Sequence, residues 1–364
     1  MKLEVGNFIK TVKNWRPRLQ GLVGMDIGHR NIKGIKLSKR GNQVTLEKYY
    51  FTDMAMVFEN FPEGRDPLQV IKALAEIHQL SGSPTATSLA DDQVLNYDIT
   101  LPPLPKSETK VAVEYEIGKI SKTPEEDLVI DFWQAPRVPK SKEGNIQIRA
   151  FAAKRTVVEQ HLETLRMAGL RPRSLESRML ANIEALRFNG YIRHDTQCVL
   201  ADIGDRYTSI GFIRNGSLQA CRAEETGMGT VNTTFRSRFG TDFATAEERK
   251  LQYNINKESS GGPENETLEE IYLRVLRTMK DSIEAHLENT LDARPESILL
   301  VGGGSRSPGI DIAISNLFRI PAVKANPFKN IQIYSGDKSG GDDEIGSLAP
   351  LMTTAVGLAL RGIK

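Results

Sequence analysis

The sequence predicts an α/β protein in which two related domains face each other across a cleft. Two short apolar runs end in Asp26-Ile27-Gly28 and Asp202-Ile203-Gly204, and each is followed by a polar turn and another apolar run. The two aspartates lie 176 positions apart (202 minus 26), about half of the 364-residue chain. A third apolar run enters Gly302-Gly303-Gly304. A strand–turn–strand unit repeated at half-chain spacing indicates two structurally related halves.

The composition is that of an ordinary globular protein. Hydrophobic residues make up 39% and charged residues 26%, and Lys plus Arg (48) nearly equals Asp plus Glu (46). Nucleic-acid binding normally needs a basic patch or a fold motif, so we expect no nucleic-acid partner. Cys198 and Cys221 are the only cysteines. This fits a reducing cytoplasm, and a disulfide between them is the less favoured alternative.

Neither a membrane span nor a secretory signal is predicted. No run of 18 or more apolar residues occurs, so we expect a cytoplasmic protein without a transmembrane segment. Residues 1–20 form a basic arm in which Phe8, Val12 and Trp15 share one helical face. Such an arm either packs on its own domain or meets a partner or an anionic membrane surface.

The elements of the first half follow from apolar alternation and from turn residues. Residues 23–27, 32–37 and 44–51 predict a three-stranded meander with glycine-containing turns. Residues 67–80 predict a helix with Pro67 in its first turn. After Leu101-Pro102-Pro103, residues 98–175 predict a compact αββαβ unit inserted between the two Asp-Ile-Gly turns. Its elements are a helix at 107–120, strands at 128–134 and 146–153, a helix at 155–168 and a strand at 170–176.

The second half repeats the meander of the first. Strands are predicted at 197–203, 207–213 and 217–223, then a charged helical region at about 230–292, a buried strand at 297–301 and a helix at about 308–318. Residues 335–347 are rich in Gly and Asp and predict a mobile surface loop. A last helix is predicted from Pro350 to about Arg361.

These patterns predict the following domain organisation. The divisions are an N-terminal arm at 1–20, a first domain at 21–97, an inserted subdomain at 98–175, a return to the first domain at 176–196 and 350–364, and a second domain at 197–349 with a helical subdomain at about 230–292.

The repeated Asp-Ile-Gly turns predict a phosphate site. A glycine in such a turn lets backbone N–H groups approach a phosphate without a Cβ in the way. Asp26 and Asp202 would point into the cleft, and Mg²⁺ needs only one or two carboxylates when phosphates and waters complete its shell. One isolated Asp-x-Gly is common in ordinary turns, but two in equivalent meanders favour a nucleotide polyphosphate. Lys33 either reaches the phosphates or is an exposed strand lysine.

Two further groups predict contacts with a nucleoside. Gly302, Gly303 and Gly304 would let a base or ribose lie flat against backbone, and the alternative is a plain glycine-rich turn. Glu247 and Lys250 are three apart on a predicted helix, so they share a face and could both reach a ribose. The alternative for that pair is a solvated ion pair. No zinc pattern and no nucleophile–base pair is evident.

Several motifs occur in a fixed order along residues 21–364. They are Gly24-Met25-Asp26-Ile27-Gly28, Leu101-Pro102-Pro103, Phe151-Ala152-Ala153-Lys154, Ala168-Gly169-Leu170-Arg171-Pro172, Asp202-Ile203-Gly204, Ala246-Glu247 with Lys250, Gly302-Gly303-Gly304-Ser305-Arg306-Ser307-Pro308-Gly309, Asn326-Pro327-Phe328 and Ala355-Val356-Gly357-Leu358-Ala359-Leu360-Arg361. Together they resemble the actin-like ATPase superfamily and, within it, the PilM family of type IV pilus assembly proteins. The resemblance implies an actin-like ATPase fold with an inserted αβ subdomain of the FtsA and PilM type.

The resemblance also implies that ATP binds with Mg²⁺ between the two domains. Asp26 and Asp202 would hold the metal through water. The implied nucleotide contacts are Gly28, His29, Arg30, Lys33, Gly204, Asp205, Arg206, Thr208 and Gly227 at the phosphates, Glu247 and Lys250 at the ribose, and Gly302, Gly303, Gly304, Ser305 and Arg306 around the adenosine. Glu176 is a candidate to orient an attacking water, although a Glu at a strand end is more often structural.

Two positions depart from the family pattern. PilM relatives usually carry Ser or Thr where this chain has His29, which removes a hydroxyl donor from the first turn. Asp205 stands at a position that is usually small or hydroxylated, and its carboxylate would repel phosphate unless Mg²⁺ or Arg206 offsets it. We therefore expect binding of ATP with at most slow hydrolysis.

The resemblance implies partners as well. A groove beside the inserted subdomain would receive the cytoplasmic tail of a PilN-like inner-membrane protein, and other pilus assembly proteins would join the same platform. The protein would then lie at the inner membrane through its partners. Actin relatives often polymerise, so self-association stays open. The alternatives are a nucleotide-free adaptor of a pilus or type II secretion-like machine and a small-molecule kinase of the same superfamily.

Overall fold

Three β-sheets organise the part of the chain that the structure, a computed structural model, describes. The described residues are 21–55, 57, 66–134, 145–257, 261–289, 294–333 and 341–363. The basic arm predicted at residues 1–20 lies outside them.

Fourteen strands are assigned within these ranges. They are β1 (Val23–Ile27), β2 (Asn31–Arg40), β3 (Gln43–Asp53), β4 (Pro84–Leu89), β5 (Leu95–Leu101), β6 (Leu128–Gln134), β7 (Ile146–Lys154), β8 (Arg171–Ser177), β9 (Cys198–Ile203), β10 (Thr208–Arg214), β11 (Ser217–Glu224), β12 (Ser297–Val301), β13 (Ala322–Lys324) and β14 (Gln332–Ile333).

The α-helices of the same ranges follow in chain order. They are α1 (Pro67–Ile77), α2 (Lys106–Ser121), α3 (Arg155–Met167), α4 (Arg178–Phe188), α5 (Gly229–Phe239), α6 (Phe243–Gln252), α7 (Pro263–Asn289), α8 (Ile310–Phe318), α9 (Gly341–Leu348) and α10 (Thr353–Ala359). Short 3₁₀ turns occupy Asp91–Gln93, Glu125–Asp127, Gly303–Arg306, Ala349–Met352 and Leu360–Gly362.

The first sheet forms what we call the first lobe. Its strand order is β14-β3-β2-β1-β4-β8, with an antiparallel β1–β2–β3 meander and parallel pairing of β1 with β4 and β4 with β8. The predicted meander is confirmed. Its strands are apolar on both faces because helices cover both: α1 and α3 pack against β1 and β2 in one core cluster, and α10 packs on β2 and β3 in another.

The second sheet forms the second lobe and repeats this plan. Its order is β11-β10-β9-β12-β13, again with an antiparallel meander joined to parallel strands. Helices α5, α6, α7 and α8 contribute to the core on one face, and α4 packs against the other. The charged region predicted as helical therefore comprises α5, α6 and α7. The cysteines, one on β9 and one on β11, are free thiols.

The third sheet is smaller than the inserted unit predicted at 98–175. Strands β5, β7 and β6 pair antiparallel in that order and pack on α2. Strand β8 instead pairs in parallel with β4, so the last predicted strand of the unit belongs to the first sheet. Local sequence shows that residues 170–176 are extended, but it does not show which sheet edge they join.

Helices α4 and α10 lie against each other beside the first sheet. A Cβ at Gly357 would overlap the backbone of Ala181, and one at Gly24 would overlap the backbone of α10 at Ala355 and Ala359. Ile345–Gly362 is apolar and long enough to cross a membrane by length and composition, yet 67% of it is buried inside the protein. The packing of α10 on β1 and α4 identifies the stretch as core.

One loop prediction is wrong. Residues 341–348 form α9 and not the mobile loop predicted at 335–347, while residues 334–340 lie outside the described part of the chain. Ile345 anchors α9 in the cluster of α10, a tertiary contact that the Gly/Asp composition conceals. The predicted helix at 67–80 is confirmed but ends at Ile77, because Gln79 takes a left-handed conformation with φ 55°.

Candidate functional site

The two Asp-Ile-Gly hairpins have the same turn. The Gly28 N–H donates to the carbonyl of Asn31 at 2.9 Å, and the Gly204 N–H donates to the carbonyl of Tyr207 at 2.9 Å. A Cβ would approach these carbonyl oxygens to 3.0 Å at Gly28 and 2.7 Å at Gly204, so both turns favour glycine. The repeat in the sequence is thus a repeat in backbone geometry.

A cleft of about 330 Å³ lies between the two hairpins, within the range of sites that hold small molecules. The predicted site residues that line it are Asp26, Gly28, His29, Arg30, Lys33, Asp202, Gly204, Asp205, Arg206, Glu247, Lys250, Gly302, Gly303, Gly304 and Arg306. The structure therefore brings together residues from four separate parts of the chain.

Four predicted site residues lie outside this lining. Thr208 Oγ1 donates to the carbonyl of Thr226 at 2.6 Å, and Ser305 Oγ donates to the carbonyl of Gly302 at 2.7 Å. Gly227 packs so closely on the second turn that a Cβ would overlap the backbone of Asp205. These three residues shape the backbone of the cleft.

Glu176 is the fourth, and the structure corrects its assignment. Its carboxylate accepts from Arg361 Nε at 2.9 Å and from Arg361 Nη2 at 2.6 Å. This bidentate pair ties β8 to the C-terminal segment, so the carboxylate is engaged away from the cleft. Glu176 therefore has a structural role and not the water-orienting role suggested by the sequence, which did not reveal the pair because Arg361 lies 185 residues away.

Asp26 is a buried carboxylate held by two cations. Its Oδ2 accepts from Lys33 Nζ at 2.5 Å, and its Oδ1 accepts from Arg178 Nη2 at 3.1 Å. Burial alone would raise the pKa of Asp26, but the charges and hydrogen bonds of Lys33 and Arg178 together outweigh it and lower the pKa. Asp26 is therefore ionised and already neutralised before any ligand binds.

Asp202 is equally enclosed but has a neutral partner. Its Oδ2 accepts from Asn182 Nδ2 at 2.9 Å. Burial raises the pKa of Asp202, and the more distant charge of Arg178 offsets this only in part. A cation brought in by a ligand would favour the ionised form, which makes Asp202 the less compensated of the two carboxylates.

Helix α4 supplies two residues that the sequence analysis missed. Arg178 and Asn182 are four apart and share a face, so one helix reaches both hairpins: Arg178 contacts Asp26 and Asn182 contacts Asp202. Thr354 of α10 in turn donates to Asn182 Oδ1 at 2.8 Å. Burial lowers the pKa of Arg178, but Asp26, Asp202 and Asp91 outweigh it and raise the pKa. The spacing of the two residues is visible in the sequence, whereas the carboxylates that they face are not.

Glu247 collects three donors at the other side of the cleft. Arg30 Nη1, Asn232 Nδ2 and Lys250 Nζ approach its Oε2 at 2.7, 2.8 and 2.5 Å. Burial raises the pKa of Glu247, but Lys250 and Arg30 more than offset it and lower the pKa to about 2. Arg30 also binds Asp53 and lies 4.7 Å above the Phe243 ring. Glu247 and Lys250 share a helix face as predicted, and they form an ion pair whose side chains are largely buried, unlike the solvated pair of the alternative.

The glycine run after β12 lines the cleft and packs closely against Asp202. Gly302 has φ 83°, and a Cβ there would overlap Asp202 Oδ1 and the backbone of Ile203. Only glycine tolerates both the positive φ and the close approach of these atoms. Arg306 follows on the short 3₁₀ turn and lines the cleft, and burial lowers its pKa. The run therefore places backbone beside the second aspartate and one cation in the lining of the cleft.

The two hairpin turns also contact each other. His29 Nδ1 lies 2.8 Å from Asp205 Oδ2. Arg206, which the sequence suggested as the charge opposite Asp205, instead binds Glu225 at 2.7 Å. His29 and Asp205, which the sequence singled out as unusual, are therefore partners, and the contact with Asp205 raises the pKa of His29.

Comparison with solved structures defines the fold. A structure described as "PilM-PilN type IV pilus biogenesis complex" matches with a TM-score of 0.78 and 23% identity, covering 96% of this chain and 100% of that one. EutJ from Carboxydothermus hydrogenoformans matches with a TM-score of 0.47 and 17% identity over 93% of this chain and 88% of its own. MreB5 of Spiroplasma citri bound to ADP matches with a TM-score of 0.48 and 12% identity over 94% and 96%. The chain thus shares the fold of the first of these structures.

The family follows from the sequence itself. Residues 24–363 match the family described as "Type IV pilus assembly protein PilM". This covers nearly the whole chain, so the chain belongs to the PilM family of type IV pilus assembly proteins. A search of curated proteins gave no match.

Proposed function

We propose that this chain is an ATP-binding scaffold of the type IV pilus inner-membrane assembly platform. It would bind the short cytoplasmic tail of a PilN-like membrane protein and lie at the inner membrane through that partner. Family membership over residues 24–363 supports the pilus role. The solved relative is a complex of PilM with PilN, which supports the choice of partner.

The observation that carries the nucleotide part of the proposal is the cleft between the two facing hairpins. Gly28 and Gly204 would cradle the phosphates, Glu247 and Lys250 would meet the ribose, and the run from Gly302 to Arg306 would adjoin the adenosine. The glycines leave backbone accessible to a ligand. Helix α4 also provides a free donor, because Arg178 Nε is buried without a hydrogen-bond partner among the described residues. These features fit a polyphosphate.

Asp26 and Asp202 would hold Mg²⁺ through water. No group of three or more metal-ligating side chains occurs in the described ranges, which suits an ion held mainly by phosphates and water. When bound, the ion would neutralise phosphate charge. Asp202 is the better-suited carboxylate, because Lys33 and Arg178 already occupy both oxygens of Asp26.

Nucleotide would act by drawing the two lobes together. The cleft is lined from both lobes, so a ligand that contacts both stabilises the closed arrangement over an open one. We propose that closure changes the affinity for the PilN-like tail, which by linkage requires that the tail also changes the affinity for nucleotide. Hydrolysis would be at most slow.

Calorimetric titration with Mg·ATP tests the nucleotide part. We expect saturable binding to the wild-type chain and a loss of at least about tenfold in affinity in Asp202→Asn. Asp281→Asn, the same change at an exposed position on α7, is the matched control and should bind as the wild type does. Absence of heat with the wild-type chain would overturn the proposal.

A second candidate, a nucleotide-free adaptor, is favoured by one observation. Asp26 is neutralised by Lys33 and Arg178, and Asp205 is paired with His29, so these carboxylates are satisfied without a ligand. Titration of the tail peptide with and without Mg·ATP separates the two functions. Equal tail affinity in both conditions supports the adaptor, and a difference supports the scaffold.

A further inference from the structure

The two lobes are joined across the outer edge of the cleft at two points. His29 in the first turn contacts Asp205 in the second, with side chains that are 60% and 23% exposed. Behind them, Arg30 donates to Glu247 on α6 at 2.7 Å, with side chains that are only 14% and 17% exposed. The outer contact is therefore the accessible one, and it joins equivalent positions, each three residues after its aspartate.

The outer contact joins the two residues that directly follow Gly28 and Gly204, the glycines proposed to cradle the phosphates. A polyphosphate lying between Gly28 and Gly204 extends toward this pair, and each further phosphoryl group adds negative charge next to the Asp205 carboxylate. Apart from Arg306, the described cations that line the cleft are already engaged by carboxylates. These pairs are Lys33 and Arg178 with Asp26, Arg30 with Asp53 and Glu247, Lys250 with Glu247, and Arg206 with Glu225.

We propose that the His29–Asp205 pair is a clasp that selects the ligand of the cleft, so that a nucleoside diphosphate binds with the clasp intact and a triphosphate has to separate it. This inference rests on the proposed binding of nucleotide. The selecting group is Asp205, whose charge repels a terminal phosphate. His29 holds that carboxylate across the mouth of the cleft, and breaking their contact adds a cost that the diphosphate does not meet.

Binding of Mg·ADP and of Mg²⁺ with a non-hydrolysable ATP analogue tests the selection. We expect the wild-type chain to bind the diphosphate about tenfold more tightly than the triphosphate. Asp205→Ser should remove this preference. His29→Ser should narrow it without abolishing it, because no contact then has to be broken, while the Asp205 carboxylate still repels the terminal phosphate. His194→Ser, at an exposed position outside the cleft, is the matched control and should keep the wild-type ratio.

The outcomes separate the clasp from the proposed function. If neither nucleotide binds any variant, the proposed function fails. If both bind the wild-type chain equally, or if Asp205→Ser shifts both affinities by the same factor, nucleotide binding stands and the selection is refuted.

A measurement without nucleotide tests the clasp itself. Spin labels at Lys72→Cys on α1 and Ala244→Cys on α6, both exposed, report the distance between the lobes by pulsed electron resonance in a Cys221→Ser background. We expect a broader and longer distance distribution in His29→Ser than in the wild-type sequence, and no change in His194→Ser. Identical distributions for wild type and His29→Ser would show that the contact does not hold the lobes.

Discussion

The two Asp-Ile-Gly hairpins share one backbone and differ in charge. In both, the aspartate pairs across the strands with the residue seven positions later: Asp26 lies opposite Lys33, and Asp202 lies opposite Ser209. Lys33 neutralises Asp26 and helps to lower its pKa, whereas burial raises the pKa of Asp202. The repeated motif therefore sets the turn, and the residue on the neighbouring strand sets the charge.

The arginines of the two turns show the same contrast. Arg30 and Arg206 each lie four residues after the aspartate of their hairpin. Arg30 is largely buried between Asp53 and Glu247, while Arg206 is about half exposed and pairs with an exposed Glu225. The arginine of the first turn is thus held by buried ion pairs, whereas that of the second turn forms an ion pair exposed to solvent.

The largest expected effect on the free energy of unfolding comes from replacing the residue opposite each aspartate. Lys33→Met leaves a buried carboxylate with one cation fewer and should lower the free energy of unfolding by about 4 kcal/mol. Ser209→Ala, the matched change in the second hairpin, removes a hydroxyl that hydrogen-bonds Asp91 and should cost about 1.5 kcal/mol. Urea unfolding measures both. Equal losses would contradict the difference in charge between the hairpins.

A second variant shows whether the stability lost in Lys33→Met comes from the uncompensated charge of Asp26. Adding Asp26→Asn to Lys33→Met removes the uncompensated carboxylate, so part of the lost stability should return. If the double variant is less stable than Lys33→Met, Lys33 contributes packing and not charge.

The arginines provide the next comparison. Arg30→Ala leaves the carboxylates of Asp53 and Glu247 with fewer donors in a partly buried site, and it should cost about 3 kcal/mol. Arg206→Ala removes an exposed pair that solvent screens, so the free energy of unfolding should stay within experimental error. Similar losses for both variants, measured by the same urea titrations, would mean that burial does not distinguish the two turns.

A packing difference separates the first strands of the two hairpins. β1 has Gly24 where β9 has Leu200, because α10 lies directly on β1 and a Cβ at Gly24 would overlap its backbone. Gly24→Ala should cost about 2 kcal/mol through overpacking. Gly346→Ala in α9, where a Cβ meets nothing within 4 Å, should instead be stabilising by about 0.5 kcal/mol. Thermal unfolding checks the opposite signs.

The smallest expected effect is the pH dependence of the contact between the turns. The hydrogen bond that His29 donates to Asp205 raises the pKa of His29 above 6.5, against burial and the nearby charge of Arg206. Because the folded pKa is raised, the stabilisation is complete below 6.5 and is lost as pH rises through the folded value. The difference in unfolding free energy between wild type and His29→Ser should be at most about 1 kcal/mol at about pH 6 and should shrink by about pH 9. A difference that grows with pH would contradict the pairing.

The sequence is a good guide where a local pattern is enough. Strand β12 is predicted at its observed bounds, because a short apolar run that ends in glycines leaves little ambiguity. The hairpin turns follow from Asp-Ile-Gly for the same reason, and Glu247 and Lys250 are found because helical spacing places them on one face. These features depend on neighbours in the chain.

The sequence does not predict the role of a residue when that role depends on a contact with a residue far away in the chain. Arg178 and Asn182 reach the two aspartates from α4, and no local motif marks them. Glu176 stands at a strand end like a functional residue, but its partner Arg361 comes from the other end of the chain. The contact of His29 with Asp205 is of the same kind, since each turn appears unfavourable for phosphate until both are placed together.

A crystal structure of the protein grown with Mg²⁺ and ADP tests most directly whether the paired hairpins form a nucleotide site. We predict that the phosphates lie between the Gly28 and Gly204 turns, that the metal sits nearer to Asp202 than to Asp26, and that His29 and Asp205 remain in contact. A nucleotide bound outside this cleft, or a metal held by Asp26 after displacement of Lys33 and Arg178, would contradict the account.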